Sequence, residues 1–433
     1  MWINLIIILT LVSIWTSLLM SITTLSGATH FWMSHSHKLV KITPLKRYPK
    51  VTLVVPAHNE GLVIANTTQA ILGLNYPSEK VQLLLYADNC DDNTAQIMHR
   101  IAAAYPKRQI QIIERTGTGG KAGVLNDALK LATGEYIGVY DADAMPEKNA
   151  LYFLVREVLK NPEHYMAAIG RNKTRNAKQN FLTKCINQEI VVTQRIQHVG
   201  IWHMFKISRI PGTNFIINKD FVESIGGWEN GALTEDTDIS FKIMQTGRLI
   251  ALAYNSEAFQ QEPERLHDYY FQRLRWAKGN YEVVMKNFKY LFLSANWRVK
   301  LEVFYYFCTF FWFNLAIVLS NLLFLGNLGA WLLNFFIPIN LPFIFDGSNL
   351  LMMQMLAFNW LMMIMLFMLQ TGIALATQFG QFTTEQLFIS FASYFTYSQL
   401  FIVVSIHAVC SALADKICHR RANNWVKTKR FAD

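Results

Sequence analysis

From Val303 to Ala412 the chain has no lysine and no arginine, and its only acids there are Asp346 and Glu385. A water-facing domain does not run that far without basic residues, so this block is not a second soluble domain. Residues 2–25 carry no charge at all, and no basic residue precedes them. A cleaved signal peptide needs a basic start and a shorter apolar core, whereas about 20 apolar residues span a bilayer as a helix, so an uncleaved anchor is expected. Cysteine is scarce: Cys90, Cys185, Cys308, Cys410 and Cys418 are odd in number and form no C-x-x-C pair. That argues against a disulfide framework and for reduced structural thiols. His30, His35 and His37 lie at a membrane edge without Cys or acid partners, which weighs against a metal site there.

A nucleotidase phosphate loop is also missing. In "ERTGTGGKAGV", residues 114–124, Arg115 stands where the first glycine is needed and Ala122 where Ser or Thr is needed. The dinucleotide fingerprint fits better: Gly117-x-Gly119-x-x-Ala122 follows a strand pattern, and Asp141 lies about twenty residues further on. It supports a competing reading, an NAD-linked membrane-anchored oxidoreductase. Two strand-helix units precede this turn, however, and Asp143 follows Asp141 with the spacing of a metal-bridging pair.

What the chain does have is a charged stretch between two apolar blocks. It is 433 residues long, 52% hydrophobic, with a formal net charge of +10. Lys38, Lys41, Lys46, Arg47 and Lys50 follow the first block without an acid among them. The tail sets Lys416, Arg420, Arg421, Lys427, Lys429 and Arg430 against Asp415 and Asp433. Both basic clusters predict a cytoplasmic location, with the N-terminus outside. The C-terminal block must then cross an even number of times. Apolar runs near 304–326, 329–345, 350–376 and 386–412 fit four crossings; the second, short and interrupted by Pro338 and Pro342, reads as a broken or re-entrant helix, and two crossings is the alternative. The basic surplus serves topology, anionic lipid headgroups and a phosphorylated substrate rather than nucleic acid.

Between residues 51 and 145, apolar runs alternate with helical patterns: "VTLVVP", "VQLLLYAD", "IQIIE" and "YIGVYD" as strands, 60–72, 93–104 and 121–132 as helices. The alternation predicts a parallel sheet with right-handed crossovers, whose ligands bind beyond the carboxyl ends of the strands. His58, Asn59 and Glu60, then Asp88 and Asn89, then Asp141 and Asp143 all cluster at those ends. The two aspartates flanking Ala142 suit one Mg²⁺ that takes its other ligands from substrate phosphates.

Further along stand "PGTNF" (211–215), "GGWENGALTEDTD" (226–238) and "QRLRW" (272–276). With "VPAHNE", "YADNCDDNT", "GGKAGVLNDAL" and "YDADA", these motifs resemble, in order, the membrane-bound processive family 2 glycosyltransferases, the group of cellulose, hyaluronan and poly-N-acetylglucosamine synthases. The resemblance runs from about Val51 to Asn280 and implies an α/β fold: a GT-A type, Rossmann-like cytoplasmic domain inserted between α-helical transmembrane segments.

It also implies roles. Ala57, Asn59, Glu60 and Asp88 would hold the uridine, Lys121 would face the nucleotide, and Asp141 and Asp143 would carry the diphosphate through Mg²⁺ or Mn²⁺. Asp236 of "TED" would be the general base. Gln272 and Arg275 would bind the donor, Arg275 by clamping its diphosphate. Trp276, Glu235, Gly212 and Thr213 would receive the acceptor. Thr234 also reads as an N-cap with acids in the first turn behind it.

The expected organisation is a transmembrane helix over 1–27, the glycosyltransferase domain over 28–265, amphipathic interfacial helices over 266–302, transmembrane helices over 303–412 and a basic tail over 413–433. Val284, Phe288, Leu291 and Phe292 form the apolar stripe of the interfacial segment. Arg171 and Arg175 make an isolated R-x-x-x-R, and no second soluble domain is expected after the last apolar run. The cellulose-type F-x-V-T-x-K gating loop is not present as such, and "NNWVKTKR" reads as a solvated basic tail. Asn314, Asn321, Asn359, Gln370 and Tyr397 are expected to line a passage through the membrane.

The resulting expectation is an inverting, metal-dependent glycosyltransferase of the plasma membrane. It polymerises a UDP-sugar into an exopolysaccharide and passes the growing chain through its own helices. The runner-up is a non-processive enzyme that adds one sugar to a lipid. UDP-sugar, growing polysaccharide and membrane lipids are the expected partners, and accessory secretion or regulatory proteins are compatible with that role.

Overall fold

The computed structural model describes residues 2–35, 42–293, 295–337, 350–417 and 430–431. Helix α1 (Trp2–His35) is followed by the strand-helix alternation read from the sequence: β1 (Val51–Ala57), α2 (Ile64–Leu72), β2 (Val81–Asp88), α3 (Thr94–Ala104), β3 (Gln109–Arg115), α4 (Gly120–Leu131) and β4 (Tyr136–Val139). β1 pairs in parallel with both β2 and β4, and β2 with β3. The carboxyl ends of these strands therefore share one edge, which is where Ala57, Asp88 and Asp141 emerge.

The second half of the sheet is mixed. It comprises β5 (Met145–Pro146), α5 (Ala150–Val158), β6 (Tyr165–Thr174), α6 (Phe181–Val192), a π-helical turn (Thr193–His198), α7 (Val199–Phe205), β7 (Phe215–Asn218), α8 (Lys219–Ser224), α9 (Glu235–Gln245) and β8 (Leu249–Gln260). The strand order is β3-β2-β1-β4-β7-β6-β8-β5. β7 runs antiparallel to both β4 and β6, β8 is parallel to β6, and β5 is antiparallel to β8. Strands 1 and 2 are almost wholly buried, as expected of strands covered on both faces.

The remaining helices are α10 (Leu266–Asn287), α11 (Trp297–Phe307), a second π-helical turn (Cys308–Trp312), α12 (Phe313–Phe336), α13 (Leu350–Phe379), α14 (Thr384–Phe395) and α15 (Tyr397–Ile417). Among the described residues, four stretches are long and apolar enough to cross a membrane: Ile7–His35, Trp297–Leu319, Ala357–Phe379 and Thr384–Ala412. The chain is a multi-pass membrane protein, and the basic flanks put its catalytic domain on the cytoplasmic side. Of the expected broken or re-entrant run, residues 329–336 continue α12 without a break from the run before it, and residues 338–345, with Pro338 and Pro342, lie outside the described residues.

The membrane helices and the sheet share one core. Phe31 and Trp32 of α1 and Ala374 and Leu375 of α13 belong to the same buried cluster as Val54, Leu84 and Ile137 of the sheet. α1 also meets α7 at backbone distance: a Cβ on Gly200 would stand 2.0 Å from the Thr24 carbonyl oxygen. Only glycine permits that approach, the usual device where helices pack in a membrane. The segment α14–α15 is tied to the catalytic domain at both ends. Lys184 pairs with Glu385 at 2.8 Å, and Lys278 pairs with Asp415 at 2.7 Å.

Candidate active site

One cavity of ≈1660 Å³ opens at the shared strand edge. Its walls include Ala57, Glu60, Asp88, Lys121, Asp141, Asp143, Gly212, Glu235, Asp236, Gln272, Arg275 and Trp276. These are all but two of the residues singled out from the sequence. Asn59 and Thr213 lie behind the wall. Asn59 accepts from the Asp91 N–H at 2.9 Å, organising the loop after β2, and Thr213 accepts the Asp141 N–H at 2.9 Å. Thr213 is 1% exposed, so its contact is with the backbone of the aspartate pair.

Lys121, at the start of α4, is the hub. Its ammonium donates to Asp141 at 2.6 Å and to the Gly212 carbonyl at 2.7 Å, and it pairs with Glu235 at 3.4 Å. Burial alone would depress its pKa, but Asp141 and Glu235 outweigh burial and hold it above the ordinary lysine range. Gly212 has φ +80, and a Cβ there would stand 2.9 Å from an Asp236 oxygen. Both constraints call for glycine.

Asp236 occupies the first turn of α9 and accepts from the Thr237 N–H at 2.7 Å. Burial pushes its carboxyl pKa up to about 7, with Glu235 adding to the rise and Lys121 opposing it. An acid poised near neutrality in a cleft is suited to taking a proton. Thr234 holds the N-cap position, but its hydroxyl makes no capping bond.

Two roles were not legible. Arg115 donates to Asp88 at 2.6 Å and to Asp127 at 2.6 Å, fixing the β2 carboxylate. Arg430, from the tail expected to be solvated, is instead buried in the site. It lies 2.8 Å from Asp143 and 3.3 Å from Glu60, while the Phe431 N–H and carbonyl both bond the Gln261 side chain at 2.9 Å. The reason is electrostatic: Asp143 is a buried carboxylate whose pKa is raised by burial, and a guanidinium is the partner that offsets this. "NNWVKTKR" carried the signal in its final basic residue.

On α10, Gln272, Arg275 and Trp276 face the cavity. Burial lowers the Arg275 pKa against the pull of Glu235 and Asp141. The Arg273 guanidinium stacks 4.4 Å from the Trp276 ring centre, which keeps the indole in place. Of the five polar residues expected to line a membrane passage, Gln370 and Tyr397 do so; Asn314 and Asn359 are buried outside the lining, and the side chain of Asn321 lies outside the described residues.

Among the described residues, no three or more His, Cys, Asp or Glu side chains gather to hold a metal by themselves. Asp141 and Asp143 on one wall do fit a hard divalent cation that draws its other ligands from a diphosphate and water.

Residues 49–279 match the family described as glycosyltransferase like family 2. A probable glycosyltransferase, YdaM, of Bacillus subtilis (strain 168) is 32% identical over 430 residues, 99% of this chain and 98% of that protein. The β-monoglucosyldiacylglycerol synthase of Synechocystis sp. is 27% identical over 59% of this chain. The poly-β-1,6-N-acetyl-D-glucosamine synthase of Staphylococcus epidermidis is 26% identical over 55%. This chain spans about half the length of these last two, 53% and 56%. Among solved structures, the mannosyltransferase PcManGT from Pyrobaculum calidifontis, in complex with GDP-Man and Mn²⁺, superposes with a TM-score of 0.62 at 19% identity, covering 94% of this chain and 99% of that one. The likeness establishes the GT-A type fold between membrane helices. The strand-end carboxylates and the glycosyltransferase match leave no place for the oxidoreductase reading, and the glycine turn follows β3, an edge strand.

Proposed function

The chain belongs to glycosyltransferase like family 2 and is a membrane glycosyltransferase, and from that premise we propose that it polymerises a UDP-sugar with inversion and feeds the product into its own membrane helices. The observation that carries this reading is the continuity of one cavity. It joins Asp88, Asp141, Asp143, Asp236 and Trp276 and continues between α1, α12 and α13.

Each wall has a chemical task. The uridine lies toward Ala57, Glu60 and Asp88. Asp141 and Asp143 hold the divalent cation, which supplies charge neutralisation to the leaving diphosphate when bound. Arg275 adds a fixed positive charge on the same side. Asp236 takes the proton of the acceptor hydroxyl as that oxygen attacks the anomeric carbon from the face opposite the diphosphate, which inverts the configuration. Trp276 offers the acceptor ring an apolar floor without a fixed hydrogen-bond set, so the sugar can advance by one unit.

The membrane arm supports the polymer over the single-sugar alternative. Along α1 the lining runs from Thr24 to Ile14, about 15 Å at the helical rise, or roughly half a hydrocarbon core. Rings of Phe310, Phe313, Trp360 and Phe367 line it with Ser17, Ser21 and Gln370. Flat rings and small polar groups suit a sliding glycan.

Incubating the purified protein in lipid with a panel of radiolabelled UDP-sugars and sizing the product tests the reading. Chains that lengthen with time are expected. A monoglycosylated lipid as the sole product under excess donor would replace it with the runner-up, and no transfer from any UDP-sugar would refute the UDP-sugar polymerising reading.

Arg430 sits on the carboxylate that the cation needs. Arg430→Gln is therefore expected to lower, at least threefold, the Mn²⁺ concentration that half-saturates UDP binding in calorimetry. An unchanged or raised value would mean that the guanidinium and the cation do not compete.

A further inference from the structure

The π-helical turn Thr193–His198 forms part of the cavity wall and packs against α1 and α13, two helices that line the membrane arm. Its back is anchored. The Trp32 indole donates to the Arg195 carbonyl at 2.8 Å, and the Arg195 guanidinium donates to Gln378 at 2.6 Å while lying 4.4 Å from the Trp32 ring centre. Its front faces the cavity with Thr193, Gln194, Gln197 and His198. The wider π turn places residues five apart over one another, so Thr193 and His198 fall on the same side. Such single π turns within helices are frequent at functional sites.

These groups have hydrogen-bonding capacity to spare. Gln194 uses its carbonyl oxygen to accept the Asn172 N–H at 3.0 Å, which leaves its amide N–H₂ toward the cavity. Among the described residues, neither the Gln197 amide nor the His198 imidazole bonds to another protein group. The imidazole is neutral: burial, with Arg209 nearby, pushes its pKa down to about 3. Arg209 itself is committed to Glu302 and to the rings of Tyr305 and Tyr306. The wall therefore presents amides, a hydroxyl and a neutral imidazole with no free charge. That is the chemistry that pairs with sugar hydroxyls; a phosphate or a carboxylate would ask for a cation.

We infer that Thr193, Gln194, Gln197 and His198 form a subsite for the sugar units behind the acceptor terminus, gripping the neutral glycan as it leaves Trp276 for the membrane arm. The inference rests on the polymerising reading and gives it a second contact. Trp276 holds the terminal ring through its face, and the π turn holds the following units through their hydroxyls. Two holds in series keep the chain bound while the terminal unit shifts.

The test uses the full chain in lipid nanodiscs, with Gln197→Leu and His198→Leu, which keep side-chain bulk and remove hydrogen bonding, and His198→Gln, which keeps a neutral hydrogen-bonding head. UDP affinity by calorimetry and UDP release in the absence of acceptor should stay within twofold of the wild type for all three, which also reports intact folding. Product length from radiolabelled donor is expected to fall at least fivefold for the leucine variants and to recover at least half for His198→Gln. Oligosaccharides cut from the wild-type product should show an acceptor KM raised at least fivefold in the leucine variants with donor KM unchanged. Leucine variants that make wild-type chains at wild-type acceptor KM would overturn the subsite. A wild type that adds only one sugar would overturn the polymer reading. In that case the dissociation constant of the monoglycosylated product, read by calorimetry, decides the subsite: a value raised at least fivefold in the leucine variants keeps it, and an unchanged value overturns it.

Discussion

Asp236→Asn is expected to lower kcat by about a thousandfold while leaving UDP affinity within twofold. General-base removal costs about 10² to 10⁴ in rate, or roughly 3 to 5.5 kcal/mol of transition-state stabilisation. The upper part of that range applies because an acceptor hydroxyl is a poor nucleophile, and the nearest other carboxylate, Glu235, is engaged by Lys121. Asparagine preserves the shape and can still accept the Thr237 N–H that Asp236 accepts at 2.7 Å, so the first turn of α9 stays formed. Steady-state kinetics with calorimetry of UDP binding separates the two effects. A variant retaining more than a tenth of wild-type kcat would remove Asp236 from the role of base.

With Asp236 as the proposed base, the same residue would set the pH dependence. A base must be ionised to act, and burial holds the Asp236 pKa at about 7. The rate should therefore rise about tenfold per pH unit below that value and level off above it. An ordinary exposed aspartate would give a plateau down to about pH 4. Lys121 opposes the rise in the Asp236 pKa, so Lys121→Met should move the acidic limb further up; a limb that stays put would mean that the titration belongs to another group.

Much of this site is readable from the chain because parallel strands export their carboxyl ends to one edge. Ala57, Asp88 and Asp141 follow apolar runs that could only be strands, and once the sheet is parallel they must meet. The β6–β8 half was not readable in the same way. β7 reverses direction between two strands, and nothing in "FIIN" specifies which way a four-residue strand runs. The π turn had no sequence signature either: "TQRIQH" scans as ordinary amphipathic helix, and only the anchors from Trp32 and Gln378, both remote in sequence, reveal which side faces the cavity. Arg430 was hidden for a related reason. A basic tail is solvated by default, and the buried carboxylate that draws it in lies 287 positions earlier, as 430 minus 143 shows. Thr213 illustrates the reverse case. The motif marked the position, and the geometry gave its hydroxyl to the Asp141 backbone.

Asp143→Asn is expected to reduce transfer about a thousandfold and to abolish metal-dependent UDP binding. Asp143 is one of two carboxylates on the cavity wall fitted to a cation, and the other, Asp141, is already bonded to Lys121 at 2.6 Å. Without the Asp143 charge, a divalent ion would have from the protein only Asp141, already shared with Lys121, which is too little to hold it against hydration. The leaving diphosphate would then lose the neutralisation that a bound cation would supply, and losing one preorganised charge contact of this kind costs on the order of 10² to 10³ in rate. Folding should survive, because Asp143 lies at the cavity wall rather than in the sheet core, and its partner Arg430 keeps Glu60 at 3.3 Å. Arg430 also decides how the experiment is read. In Asp143→Asn the guanidinium loses its 2.8 Å partner, so a displaced tail is a competing explanation for a fall in activity. The double variant Asp143→Asn with Arg430→Gln separates the two: if the cation matters, the double variant stays as inactive as the single one, whereas Arg430→Gln alone still binds Mn²⁺ with UDP. Manganese titration followed by electron paramagnetic resonance reads the binding directly, without relying on turnover. Full wild-type activity in excess chelator, or Mn²⁺ binding unchanged in Asp143→Asn, would take the metal away from this pair and leave Lys121, Arg275 and Arg430 as the charges that face the diphosphate.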